Sequence, residues 1–289
     1  VKPFAEQYEQ YDSFLMVADY HALTSKKDPR ELRQNIINIV RSYLAVGVDP
    51  KKAIIFKQSG VPEHTELAWI FNCLVTVPFL MQAHSYKDKV AKGLEANAGL
   101  FTYPMLMAAD ILLYDTDVVP VGEDQRQHVE YAREAATKFN NAFGEVFKEP
   151  KELILKGVGV VPGTDGQKMS KSYGNVIPLF GTKDEITKAV MSIVTDSSGE
   201  IPKNVHAIHS LYKSKEELDM IYQIKQGKYK ELKEVLIEDI EKSVAPMRKR
   251  YEKITESDIK KVLKEGAKRA QKIADEKMKI VRQSVGVAL

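Results

Sequence analysis

The 289-residue sequence predicts an α/β fold, with a parallel sheet and helical crossovers up to about residue 180 and helices alone thereafter. Three observations carry this. Short, β-rich apolar runs alternate with helical patterns in the first part of the chain. Every long pattern after about residue 181 has helical spacing. Between the two lies the glycine-punctuated turn Pro162-Gly163-Thr164-Asp165-Gly166.

Taken in order, Ser13-Phe14-Leu15-Met16-Val17 is a short apolar run of strand character. A helix follows from about Asp28: Asp28 suits the cap, Pro29 the first helical position and Glu31 the third. Leu32, Ile36, Ile39, Val40 and Leu44 keep helical spacing until Gly47 ends the pattern. Ala53-Ile54-Ile55-Phe56 reads as a second strand and is followed by a helix from about Glu63 to Leu74. A helix from Thr102 to Tyr114, a strand at Val118-Val119-Pro120-Val121 and an amphipathic helix from Gln125 to Asn140 continue the alternation. Pro120 weighs against a central place for its strand, because proline donates nothing to a ladder. Val158 to Val161 is the last strand candidate. Helices are then predicted over 186–194, 215–226, 229–244 and 257–285, one with the stripe Leu232, Val235, Leu236, Ile240. The boundary between the two parts falls near 180. Ligands of such sheets bind at the carboxyl ends of the strands.

Bulk properties narrow the function classes. Cys73 is the sole cysteine, which excludes an intrachain disulfide and a cysteine metal cage, and a reducing compartment, the cytoplasm, is expected. No run of 18 apolar residues is present to span a membrane. The net charge of +3 is unevenly placed, since residues 181–289 carry 23 Lys and Arg against 18 Asp and Glu. That excess suits an anionic partner such as RNA, although solvated helices of mixed charge would produce it equally.

Three segments carry chemistry. Lys168-Met169-Ser170-Lys171-Ser172 follows the Gly163/Gly166 turn and precedes Gly174. Two lysines and two serines between glycines can bring positive charge and hydroxyl donors to phosphates, which is electrostatic stabilisation of developing charge. Pro120-Val121-Gly122-Glu123-Asp124-Gln125 joins a strand to a helix. Gly122 permits close backbone approach and Asp124 can accept from ribose hydroxyls, or the acids simply complement a helix dipole. Asp110 lies in the apolar run Leu106-Met107-Ala108-Ala109-Asp110-Ile111-Leu112-Leu113 and shares a helical face with Tyr103 and Met107. A carboxylate buried there needs a donor, from a ligand, from a nearby cation or from water.

The lysine-serine string resembles the signature loop of class I aminoacyl-tRNA synthetases. The Gly-Glu-Asp-Gln turn resembles that of the tryptophanyl and tyrosyl members, with Glu123 matching the tryptophanyl version. The resemblance implies a Rossmann-like catalytic domain over 1–180 and a helical domain over 181–289 that binds the tRNA anticodon. It implies catalytic roles for Lys168, Lys171 and Ser172 at the departing pyrophosphate. ATP contacts would come from Gly122, Glu123, Asp124, Val161 and the whole Lys168–Ser172 string. Ser85-Tyr86-Lys87-Asp88-Lys89 resembles a family segment whose Lys89 reaches the phosphates, and otherwise reads as a solvated charge run. For tryptophan, Asp110 would accept the indole N–H. Met107, Val119 and Val121 would wall the ring, and Tyr103 and Gln125 would hold the amino-acid end. His21, in Asp19-Tyr20-His21-Ala22, would lie beside this pocket or be structural. ATP with its Mg²⁺, L-tryptophan, tRNA(Trp) and a homodimer partner are the implied ligands and partners. The histidines form no metal-ligand spacing, so no protein-held metal is expected.

Synthetases of this class open with a glycine-rich turn bearing a His-x-Gly-His-like string, and no such string occurs here. The first strand and helix of the family are therefore expected to precede Val1, and residues 1–289 by themselves are expected not to activate tryptophan. A tyrosyl enzyme, a non-catalytic RNA-binding relative and an unrelated α/β ligand-binding protein remain the alternatives.

Overall fold

The computed structural model describes residues 8–25, 28–91, 93, 95–122, 126–154, 161–170, 173–195 and 201–288. Its main elements are β1 (Phe14–Val17), α1 (Pro29–Val46), β2 (Ile54–Lys57), α2 (Glu63–Asn72), α3 (Ala98–Leu112), β3 (Val118–Val121), α4 (Arg126–Phe143) and β4 (Lys151–Ile154). Helices α5 (Lys183–Met191), α6 (Lys203–His209), α7 (Lys215–Ile224), α8 (Tyr229–Lys253) and α9 (Glu256–Ser284) complete the order. Shorter helices lie at Asp19–Ala22, Val77–Leu80 and His84–Ala91. The fold is mixed α/β and rich in helix, with parallel strand pairing.

Helix α1 forms where its signals predict. The Asp28 side chain accepts the N–H groups of Arg30 and Glu31, Pro29 opens the first turn, and Gly47 closes the helix with φ 105°. Helix α3 starts earlier than its apolar pattern suggests, at an Asn97 cap whose side chain accepts the Leu100 N–H, and it carries Pro104 within. Strand β4 was not expected. Val158 to Val160 of the expected last strand lie outside the described residues, as do Leu155 to Gly157 before them.

Strands β1 and β2 pair in parallel, Phe14 opposite Ile54 and Val17 opposite Lys57. β3 and β4 pair in parallel, Val118 opposite Lys151 and Val121 opposite Ile154. Among the described residues the two pairs are separate sheets. A cavity of about 750 Å³ is lined by both, with Phe14, Met16, Ile54 and Phe56 from one pair and Val118, Val119, Pro120 and Leu153 from the other. Among the described residues Pro120 pairs on one side, opposite Leu153 of β4.

Contacts divide the chain into two compact units, residues 1–155 with 255–289, and residues 156–254. The expected boundary near 180 differs from this division at both ends. Val161 and Ile177, flanking the lysine-serine loop, pack on the helical core made by Ile186, Val190, Leu236 and Ile240. Helix α9 belongs to the first unit because its Ala270, Ala274, Met278 and Val281 join the α/β core with Phe56, Leu67 and Phe71. Gly266 is the point of closest approach: a Cβ there would lie 1.9 Å from the Ile55 carbonyl oxygen. A helical periodicity identifies an amphipathic face but not the core that the face will join.

In the second unit, Lys233 is buried on α8 and its Nζ donates to the carbonyls of Met191 and Ile193 at 2.9 and 2.7 Å, at the end of α5. Lys233→Met keeps the apolar stem and strips these carbonyls of a donor. A loss of roughly 1–3 kcal/mol is expected in urea unfolding.

Candidate active site

Asp110 is the centre of a buried polar network at the end of α3. Its side chain is 8% exposed. Oδ1 lies 2.7 Å from His64 Nδ1 and 2.8 Å from Gln58 Nε2, and Oδ2 lies 2.8 Å from His21 Nε2 and 3.0 Å from Gln58 Nε2. Burial alone would raise the carboxyl pKa, but the hydrogen bond from His21 and the close approach of His64 outweigh it and hold Asp110 below the ordinary aspartate value. The group is therefore an anion in a largely apolar surrounding, solvated by protein donors.

Each donor is placed by its own element. Gln58 follows β2 and is fully buried, and its Oε1 accepts the backbone N–H groups of Tyr20 and His21 at 3.2 and 3.3 Å. His64 sits in the first turn of α2, fully buried, with Nε2 2.8 Å from the Tyr114 hydroxyl. The Phe56 ring stacks on His64 with centroids 6.0 Å apart. His21 lies in the short helix after β1, and its ring meets Tyr103 edge-on at 6.0 Å. Tyr103 Oη lies 2.5 Å from His128 Nε2. Beside this network, buried Asp19 accepts the Ser59 N–H at 2.9 Å and its hydroxyl at 2.5 Å, which ties the ends of β1 and β2 together.

The large cavity reaches this network. Asp110, Ile111, Tyr114 and Val119 line it together with Phe14 and Met16. Of the residues proposed from the sequence, Asp110, His21 and Tyr103 are brought together, and Val119 shares the cavity with Asp110. Met107 packs on the hydrophobic core, and Val121 ends β3; neither lines the cavity. Gly122 follows β3 directly, whereas Glu123, Asp124 and Gln125 lie outside the described residues, as does the side chain of Lys89. Gln58, His64, Tyr114 and His128 were not singled out from the sequence. The one available signal was Gln58-Ser59-Gly60 directly after a strand, where ligands of parallel sheets gather.

In the second unit the lysine-serine loop is a built structure over its described residues. Pro162 and Lys168 form an antiparallel bridge, and the Met169 N–H donates to the Val161 carbonyl at 2.9 Å. Asn175, only 3% exposed, clasps the turn from beneath. Its Oδ1 accepts the Ser170 N–H at 2.8 Å, and its Nδ2 donates to the Asp165 carboxylate at 2.7 Å and to the Lys168 carbonyl at 3.1 Å. The Asn175 bond to Asp165 is the leading cause that holds this carboxyl below its usual range. Gly163 is required by the same clasp, since a Cβ there would meet Asn175 at 2.3 Å. Lys168, Met169 and Ser170 are thus set on a framed turn; Lys171 and Ser172 lie outside the described residues.

Among the described residues there is no cluster of three His, Cys, Asp or Glu able to hold a metal ion, and no helix is long and apolar enough to cross a membrane.

Parallel strand pairs, a buried carboxylate network beside them and, later in the sequence, a framed lysine-serine turn fit a class I aminoacyl-tRNA synthetase. The family described as tRNA synthetases class I (W and Y) matches residues 1–279, and the chain belongs to it. Within the family it sides with the bacterial-type tryptophanyl enzymes. The tryptophan–tRNA ligase of Fusobacterium nucleatum is 57% identical over 206 residues, 71% of this chain and 63% of that protein. The Campylobacter jejuni tryptophan–tRNA ligase is 43% identical over 298 residues, 99% of this chain and 93% of that protein. A crystal structure of the Campylobacter jejuni tryptophanyl-tRNA synthetase complexed with ADP and tryptophan matches with a TM-score of 0.90 at 41% identity, covering 99% of this chain and 93% of that one.

Proposed function

We propose that the protein is a tryptophan–tRNA ligase that activates L-tryptophan with ATP and transfers it to tRNA(Trp). The observation that carries this reading is Asp110, a buried, ionised carboxylate at the wall of a cavity to which Phe14, Met16, Ile111 and Val119 contribute apolar surface. Indole offers one N–H on a large apolar body, and a single acceptor in apolar walls is its complement.

In the first half-reaction the tryptophan carboxylate attacks the α-phosphate of ATP, and pyrophosphate leaves. Little proton transfer is needed, so positioning and charge neutralisation carry the rate. Lys168, Lys171 and Ser172 are assigned to the pyrophosphate, with Met169 and Ser170 beside them and Val161 at the base of the same turn. Lys89 approaches the phosphates, and Gly122, Glu123 and Asp124 take the ribose end. Tyr103 and Gln125 take the ammonium and carboxylate of the amino acid, His21 stands at the indole edge, and Val119 bounds the ring, with Met107 and Val121 behind the cavity wall rather than on it. Mg²⁺ arrives on the ATP phosphates, in keeping with the hard-oxygen preference of that ion. Residues 181–289, with their basic excess, are assigned to the tRNA, and a homodimer in the cytoplasm is the expected working form.

Pyrophosphate exchange measured on the native full-length protein tests the reading. Exchange that depends on tryptophan and is at least about 10⁴-fold weaker with tyrosine is expected. Equal or greater exchange with tyrosine would transfer the assignment to the tyrosyl branch. Asn175→Ala probes the loop separately. It unties Ser170 and Lys168 without removing a charge, and a fall of about tenfold to a hundredfold in the exchange rate is expected, with tryptophan KM little changed.

A further inference from the structure

Each oxygen of an ionised carboxylate offers two acceptor positions, and at Asp110 Oδ2 the Nε2 atoms of His21 and Gln58 occupy both, at 2.8 and 3.0 Å, while His64 Nδ1 stands 2.7 Å from Oδ1. An indole N–H can therefore be accepted at Oδ2 only if one of those contacts yields. The three donors differ in their freedom to do so.

Gln58 is not free to turn. Its Oε1 is fixed by two backbone N–H groups, so its Nε2 must face Asp110, and the residue is wholly buried. His64 is held on both sides of its ring. Nδ1 stands 2.7 Å from Asp110 Oδ1, and Nε2 lies 2.8 Å from the Tyr114 hydroxyl. Burial raises the Tyr114 pKa far above the ordinary phenol value, with the Asp110 charge adding to it, so the hydroxyl stays protonated beside the ring. Phe56 closes the other face of the ring. His21 differs: its side chain is 19% exposed, it makes one contact to Oδ2, and it borders a second cavity of about 230 Å³ shared with Thr24, Thr65, Trp69, Gly99 and Tyr103.

We infer that His21 is an exchangeable donor which gives up Asp110 Oδ2 to the indole N–H and withdraws toward the smaller cavity, while His64 and Gln58 are positioning residues that keep the carboxylate oriented through the exchange. This rests on the reading of Asp110 as the indole acceptor. Substrate binding then trades one hydrogen bond for another, and selectivity comes from the two donors that stay.

The exchange is visible directly in the histidine ¹⁵N and ¹H resonances of the native full-length protein titrated with tryptophan. The His21 Nε2–H signal should lose its hydrogen-bonded shift on saturation while the His64 Nδ1–H signal persists. Persistence of both signals, or loss of the His64 signal, would overturn the inference. Equilibrium binding gives the second arm, with tryptophan and its benzothiophene analogue, which lacks the N–H, as ligands. His21→Ala should tighten tryptophan binding about threefold to tenfold by removing the competing donor. Weakened tryptophan binding by that variant would make His21 a direct contact and refute its exchange. His64→Ala should lower the preference for tryptophan over the analogue at least tenfold, and His64→Asn, whose amide can stand where Nδ1 stood, should restore part of it. Equal preference in wild type and both His64 variants would remove His64 from this role. Asp110→Asn separates the layers: if its preference for tryptophan over the analogue matches wild type, the reading of Asp110 itself fails, whatever His21 does.

Discussion

Replacement of Asp110 by asparagine should lower kcat/KM for tryptophan by about a hundredfold, with ATP KM nearly unchanged. The amide keeps the shape and removes the charge. It also turns one acceptor oxygen into an NH₂ group that must face His21, His64 or Gln58, all of which donate toward Asp110. Loss of a charge-assisted bond and creation of a donor–donor contact account for about 2.7 kcal/mol, the equivalent of that factor. The same change should lower stability by roughly 1–3 kcal/mol in urea unfolding, because buried donors lose their acceptor. The pH dependence has a definite sign. The folded pKa of Asp110 is depressed, so its contribution is complete above the unfolded value of about 4 and is lost only as pH falls through the lower folded value. The stability difference between wild type and Asp110→Asn should thus stay constant from neutrality down to about pH 5 and shrink in more acidic solution. A difference that vanished between pH 7 and pH 6 would contradict this account.

The largest stability effect is expected at Gly266, far from the chemistry in sequence. Gly266→Ala places a methyl group 1.9 Å from the Ile55 carbonyl oxygen, and the neighbouring backbone carbon and nitrogen lie at 2.7 and 3.2 Å. Backbone atoms of a paired strand cannot rotate away as a side-chain tip can, so α9 must lift from β2 as a body. At Gly60 the same surface meets Ala267, whose Cβ lies 3.2 Å from an added Cβ. The far turns of α9 resist lifting: Arg282 forms a paired bond to Glu66 at 2.7 and 2.6 Å, and Lys277 reaches the Val146 carbonyl at 3.0 Å. Overpacking of this kind costs about 3 kcal/mol or more. Chemical denaturation of Gly266→Ala should show it. A substitution tolerated within about 0.5 kcal/mol would mean that the seam between α9 and β2 is looser than its geometry implies.

Much of the fold was legible because it is written in local signals. Asp28, Pro29 and Gly47 bound α1 by capping chemistry that acts within a few residues. β1, β2 and β3 announce themselves as short β-rich runs between helices. What stayed hidden is non-local. Nothing near Glu256 states that α9 packs on Ile55 rather than on the helices preceding it, so the expected boundary near 180 cuts the chain differently from its contacts. At the site, Asp110 stood out because a carboxylate in an apolar helix demands an explanation. Its donors did not, because Gln58 and His64 look like ordinary polar residues until the fold brings them across 52 and 46 positions of sequence. Asn175 was passed over for a similar reason: an asparagine after a turn is commonplace, and only its burial beneath the turn reveals its work.

The return of α9 to β2 has a consequence for how the molecule is made. The unit that contains Asp110 cannot assemble from the residues a ribosome delivers first. Leu67, Phe71 and Phe56 wait for Ala270, Ala274 and Met278 to cover them, and about a hundred residues of another unit emerge in between. Until the last helix leaves the exit tunnel, the nascent α/β half carries an uncovered apolar face, a target for chaperones and a hazard for aggregation. Synthesis that stalls ahead of Glu256 would release a chain unable to close its own core.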